Sequence, residues 1–329
     1  MTEDQQLIEG GDAALQPETT LQNAGLRNER REFFKAALGA AAATAAGAGA
    51  LSIATSASAA TIADNDMGNF LLQIEYLAAQ YYSFAVTGTG LPAAQLTGTG
   101  TAGAATGARQ VTFADPLVAQ FASEIQQDLV AHVAFLRATL GTDGVTAQPA
   151  IDLGTGATSA FSKIAVAAGI AAAGAFDPYA SDDNFLLGAY IFEDVIVTAF
   201  AGAAASISDK AFLGKVLGML SAHSYHTSVI RSLLYAKGIA TPALRTNADK
   251  ISDVRDTLDG STELDQGISP TTVGGNLVAN VVPAGADGLI AGRSTGQVLN
   301  VLYLNSAAVS LGGFYTAGLN GAVKSSSAN

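Results

Sequence analysis

The chain has 329 residues but no cysteine, only three histidines, and few cations: 16 Lys and Arg stand against 28 Asp and Glu. Each shortage excludes something. Without cysteine there is no disulfide and no thiolate-held metal, so the protein must stand on its core. A net charge of −12 makes a poor partner for nucleic acid or for an anionic membrane, and its use is solubility. Imidazole chemistry is confined to His132, His223 and His226. A dinucleotide site is not expected either. Gly98-x-Gly100-x-x-Gly103 has the fingerprint spacing, but no strand precedes it and no helix opens on its last glycine, so it reads as a loop.

Residues 28–60, "NERREFFKAALGAAAATAAGAGALSIATSASAA", follow Arg30 and Arg31 with Phe33, Phe34 and Lys35. An Ala/Gly-rich run then closes on Ala57-Ser58-Ala59. That order is the pattern of a twin-arginine export signal behind an acidic leader. The expectation is a leader and signal over 1–59 and a mature chain from near Ala60, placed in the periplasm, outside the cell or on its surface. Of the charged residues, 4 basic and 7 acidic fall in 1–59, which leaves the rest at −9. No membrane-spanning segment is expected in that remainder.

Four long stretches carry helical periodicity. The first covers about 66–87. The second opens on Asp115 and Pro116, a good N-cap and first-turn pair, and ends at Gly141. The third begins at Ser181/Asp182, and the fourth runs from about Asp209 to Lys237 with Gly238 as its C-cap. Long Gly/Thr/Ala-rich connections separate them, the second (142–180) partly helical at "SAFSKIAVAAGIAA". Two helix pairs joined by a long crossover predict an all-α four-helix bundle over 60–240. In the extension, 241–329, "ALRTNADKISDVRDTLDGSTELDQG" reads as a polar loop over the bundle. "GRSTGQVLNVLYLNSAAV" reads as one further helix.

Every bundle helix interrupts its apolar stripe with an ionisable group. The first has Glu75 between Leu71/Leu72 and Ala78/Ala79. The second has the stripe Phe121, Ile125, Asp128, His132, Phe135. The third has Glu193 between Tyr190 and Val197, and the fourth runs Val216, Leu220, His223, His226, Ile230, Leu233. Unpaired buried charges cost several kcal/mol each. Two arrangements would satisfy these groups: a bound cation, or a hydrogen-bond network in which the histidines and the hydroxyls of Tyr76, Tyr81, Tyr82 and Tyr190 hold Glu75 and Glu193.

The segments "NFLLQIEYLAAQYY", "DLVAHVAFLRATLG", "NFLLGAYIFEDVIVTAFAGAA" and "MLSAHSYHTSVIRSLLY" resemble the secreted ferritin-like domain proteins that include the desiccation-related proteins. So do "DQGI", "ANVVPAGADGL", "GRSTGQVLNVLYLN" and "GGFYTAGLNGAV", and the resemblance spans roughly residues 65–323. It implies a ferritin-like bundle and a di-iron pattern of one Glu from each of two helices and Glu-x-x-His from the other two. Glu75 and Glu193 match the lone glutamates, and His132 and His226 match the histidines. The carboxylates that would bridge the metals are replaced by Leu129 and His223. A ferroxidase-type centre is therefore not expected. A site for one transition metal ion (Fe, Mn, Zn or Cu) is, from Glu75, His132, Glu193, His226 and His223, with Asp128 as a ligand or as the group orienting His132.

Two functions follow from this reading: a non-enzymatic stress-protection or surface protein with a retired site, or a metal-binding protein with residual redox or oxygen chemistry. A hydrolase is not expected, because no histidine stands beside a serine nucleophile loop. Self-association through an exposed helix face is compatible with the pattern. A closed cage is not, because the long loops and the extension would crowd its contacts.

Overall fold

The computed structural model describes residues 62–171 and 174–329, so the leader and signal expected in 1–59 lie outside the described residues. The bundle consists of α1 (Asp64–Thr87), α2 (Pro116–Gly144), α4 (Asp182–Ala204) and α5 (Lys210–Ala240). A short helix α3 (Ala160–Ala167) lies in the crossover. The caps are those the sequence advertises. Asp115 accepts from the Leu117 amide ahead of Pro116, Ser181 from the Asn184 amide, and Asp209 from the Phe212 amide. Gly88 closes α1 with φ +75°, and Gly141 breaks α2 with φ +73° before one last turn.

Contacts at the helix ends fix the directions. The first turn of α1 meets that of α5, where Ser208 and Asp209 donate to the Asp64 carboxylate. The end of α5 meets the starts of α2 and α4, where Lys237 lies 3.9 Å from Asp115 and 3.1 Å from Asp183. Asn69 donates to the Gly144 carbonyl, so α1 and α2 run antiparallel. The order is up, down, down, up with a long crossover. Two-residue strands β1 (Ala105–Thr106) and β2 (Ile151–Asp152) pair in parallel and tie the first connection to the crossover.

Helices α1 and α4 form the interior. Every residue from Met67 to Ser83 and from Phe185 to Phe200 is buried, so neither helix has a polar outer face. Among the described residues α4 is the one helix long and apolar enough to cross a membrane, and it lies inside the bundle.

Two expectations need correction here. The polar stretch after residue 242 is no loop but helix α6 (Ala243–Asp259), so the extension holds two helices, α6 and α7 (Thr295–Tyr303), with a hairpin of β3 (Thr271–Val273) and β4 (Asn276–Val278) between them. Its buried stripe is Leu244, Ala248, Ile251, Ser252, Arg255 and Asp259, helical in spacing but partly charged, which hides it from a hydrophobicity reading. Gly238 does not end α5, which continues to Ala240. It is buried, and a Cβ there would run into the Arg245 side chain.

A buried ionic clasp holds the extension on the bundle. Arg231 (α5), Arg255 (α6) and Arg293 (before α7) have no more than 1% of their surface exposed. Arg231 reaches Asp194 at 2.7 Å and donates to the backbone carbonyls of Gln266, Gly267, Asn280 and Val281. Arg255 contacts Asp194 at 3.0 Å and Asp265 at 2.8 Å, and donates to the Tyr190 carbonyl. Arg293 joins Asp259 at 2.6 Å, Asp265 and the Thr198 hydroxyl. Three guanidiniums face three carboxylates, so the cluster is neutral as a whole. The Arg231 and Arg255 guanidiniums also face the Tyr190 ring, 5.6 and 4.7 Å from its centroid.

Candidate metal centre

Glu75 on α1, His132 on α2, Glu193 on α4, and His223 and His226 on α5 converge at mid-bundle. Their potential ligand atoms form two groups, Glu75/His132/His223 and Glu193/His223/His226, each with all atoms within 4.8 Å of one another and with His223 in both. Glu75, Glu193 and His223 are fully buried, and His226 is 4% exposed. The imidazole rings are 5.1 Å (132–223), 5.5 Å (223–226) and 6.2 Å (132–226) apart. His223 Nε2 lies 2.6 Å from Glu75 Oε1, and His132 Nδ1 lies 3.4 Å from the same oxygen.

Helix α2 is rotated from its expected face. Its buried stripe is Val118, Ala122, Ile125, Leu129, Val133, Leu136 and Leu140, while Phe121, Asp128, His132 and Phe135 lie on the half-buried flank. Leu129 occupies the interior where a bridging carboxylate would otherwise stand, and His132 reaches the centre from the edge, 14% of its side chain exposed. Asp128 consequently does not orient His132. It pairs with His226 instead, Oδ2 to Nε2 at 3.0 Å, its side chain half exposed. That bond places the His226 proton on Nε2 and leaves Nδ1 free as a donor to a metal, the carboxylate–histidine arrangement common behind metal ligands.

The hydrogen-bond alternative fails on the tyrosines. Tyr76 donates to the Gln95 carbonyl, Tyr81 to that of Phe185 and Tyr190 to that of Gln266. Of the four only Tyr82 lies beside Glu193, close enough to pull on its pKa but not aligned for a full hydrogen bond. Glu75 Oε2, both oxygens of Glu193, and the Nδ1 atoms of His132, His223 and His226 are buried and unpartnered. Buried atoms without a partner on all five of these converging residues are costly for protein alone and natural beside a cation.

The electrostatics agree. Burial pushes the Glu75 carboxyl up, but His223 and His132 pull it down to about 2. Burial lifts Glu193 to about 8, against the pull of Tyr82 and with Glu75 and Asp194 adding to the rise. Burial and His223 press His226 down to about 4, against Asp128, so its ring is neutral and ready to ligate at neutral pH. Burial opposes protonation of His132 too, but Glu75 and Asp128 outweigh it and raise its pKa. An ion engaging Glu193 must therefore displace a proton. Affinity for Co2+, by competition with a chelator, is expected to rise about tenfold per pH unit below pH 8 and to level off above it.

The centre also touches the clasp. Asp194 follows Glu193, Thr227 follows His226, and Thr227 donates to Asp194 at 2.5 Å. Sequence reading missed Asp194, Arg231, Arg255 and Arg293. Charged residues on otherwise apolar helical stripes were the available signal.

The ferritin-like domain family model matches residues 63–236. This chain belongs to that family. The ferritin-like chain is 28% identical over 273 residues to the ferritin-like catalase Nec2 of Nesocodon mauritianus, covering 79% of this chain and 85% of that one. It is 28% identical over 207 residues to the desiccation-related protein PCC13-62 of Craterostigma plantagineum, covering 60% of this chain and 62% of the relative, less than two thirds of its length. No solved structure matches. The ferritin-like reading also disposes of one motif. Gly292-Arg293-Ser294-Thr295-Gly296 has Gly-x-Ser-x-Gly spacing, but Ser294 caps α7 in a capping box with Gln297 and so is no nucleophile.

Proposed function

We propose that this ferritin-like protein is an exported metal-binding protein whose centre is formed by Glu75, His132, Glu193, His223 and His226. The observation that carries the reading is that these residues converge in two overlapping groups and each has a buried atom without a hydrogen-bond partner. Two carboxylates and three imidazoles suit Fe, Mn, Zn or Cu. When bound, such an ion supplies Lewis-acid or redox chemistry, and the protein supplies its ligands, a dry site and the orienting bond from Asp128. Export rests on the twin-arginine pattern of residues 28–60. The name of one relative, a ferritin-like catalase, makes peroxide the first substrate to try.

A second reading is stress protection without turnover, and Leu129 favours it. A leucine at the bridging position removes charge that would hold two cations together. Elemental analysis of protein purified without chelator tests the metal reading. Near one equivalent or more of a transition metal, lost in His223→Ala, supports it. A folded, metal-free protein that takes up no added Co2+, Mn2+ or Zn2+ refutes it. Metal without peroxide consumption leaves protection as the role.

A further inference from the structure

The centre is sealed on most sides. Glu75 and Glu193 are fully buried on the interior helices, and the rings of Tyr81, Tyr82 and Phe185 pack against one another at 5.4–5.5 Å. Phe200 lies 4.9 Å from the His223 ring. On the α4 side, Asp194 and the clasp fill the space behind Glu193. A surface depression of about 480 Å³ lies toward the end of α2, where Phe135, Leu140 and Phe212 share the lining with Asp64, Asp209 and Lys215, and none of the five residues of the centre lines it.

The seam between α2 and α5 is different. Of the five inward-facing groups, the two with any exposure, His132 and His226, both border it. Asp128 stands at its rim, half exposed, in a surface depression of about 380 Å³ shared with Ser123, Glu124 and Gln127 and lined by no cation. His226 spans the seam. Its Nε2 meets Asp128 on the solvent side, its Nδ1 is buried and unpartnered, and the residue is grouped with Glu193 and His223 in the interior. One imidazole therefore connects a solvent-facing carboxylate to the interior site.

We infer that Asp128 and His226 form the inlet of the centre: Asp128 captures a hydrated divalent cation from solvent, and a turn of the His226 ring away from it passes the ion inward. The inference rests on the metal reading above. Asp128 is thus a positioning residue at rest and a capture residue during loading, not one of the resident ligands.

The test is the rate of Co2+ uptake by chelator-stripped protein, followed by stopped-flow visible absorption, with Co2+ per chain measured at equilibrium. In Asp128→Ala the uptake rate is expected to fall about tenfold or more, the size of electrostatic steering effects, with Asp128→Asn close behind. At saturating Co2+ both variants should still reach the wild-type stoichiometry, with affinity lowered by loss of the orienting bond to His226. High ionic strength should narrow the gap between wild type and variants. Asp128 is a rim residue, so both variants should keep the wild-type far-UV circular dichroism. An unchanged rate at full stoichiometry overturns the inlet. So does a fall in final stoichiometry, which would make Asp128 a ligand. Failure of the wild type to take up Co2+ at all removes the metal reading itself, and the two failures are distinct.

Discussion

Asp194→Ala is expected to destabilise the metal-free protein by about 3–5 kcal/mol, the cost of removing one partner from a buried ion cluster. Asp194 accepts from Arg231, Arg255 and Thr227, and these interactions hold its pKa down against burial. Deleting it strips Arg231 of its carboxylate, leaves Arg255 with Asp265 alone, and gives the sealed cluster one uncompensated positive charge. At roughly 2–4 °C per kcal/mol for a domain of this size, thermal unfolding should shift down by about 10 °C. The shift should persist in high salt, because buried pairs are little screened. Adding Arg255→Met to Asp194→Ala restores charge balance, so the double variant should be more stable than the sum of the two single losses. Strict additivity would show that the clasp residues do not act as a unit. Because Asp194 and Thr227 each adjoin a proposed metal ligand, Asp194→Ala should also weaken Co2+ binding, a coupling between the extension and the centre.

Glu193→Gln is expected to act in opposite directions on two readouts. Burial holds the folded-state pKa of Glu193 near 8, above the ordinary 4.5. The unfolded chain therefore loses its proton between pH 4.5 and 8 while the folded chain keeps it, and Glu193 lowers stability progressively through that window. Glutamine has no such titration. The metal-free variant should be more stable than wild type at pH 7, by up to about 3 kcal/mol, and the advantage should vanish below pH 4.5. Metal binding should suffer instead. Loss of a residue behind a ligand typically costs 10–100-fold, so loss of a ligand should exceed about 100-fold in Co2+ affinity. Denaturant unfolding at pH 4 and pH 7, with and without Co2+, separates the two effects. A variant less stable than wild type at both pH values, with Co2+ affinity intact, would show that Glu193 is a structural hydrogen-bond partner and no ligand.

The bundle was legible because its signals are local. Asp115-Pro116, Ser181 and Asp209 cap helices wherever such residues precede a periodic stretch, and Gly141 ends the regular part of α2 because only glycine takes its backbone angle easily. Glu75, Glu193, His223 and His226 were legible as polar breaks in apolar stripes, and the structure brings all four to one place. Helix α6 was not legible, because its buried stripe contains Arg255, and hydropathy counts a guanidinium as surface whatever faces it.

By itself, then, the sequence determined the four bundle helices, the residue types available for chemistry, and the absence of carboxylates at positions 129 and 223. Each is a property of short-range pattern or of identity alone. Only the tertiary structure decided the rotation of α2, which follows from packing its apolar face of Ile125, Leu129 and Val133 into the core, and so moved Asp128 from His132 to His226. It also decided that three arginines are buried. Their carboxylate partners lie 10 to 61 residues away in the chain, and such charges neutralise one another only when folding removes the water between them.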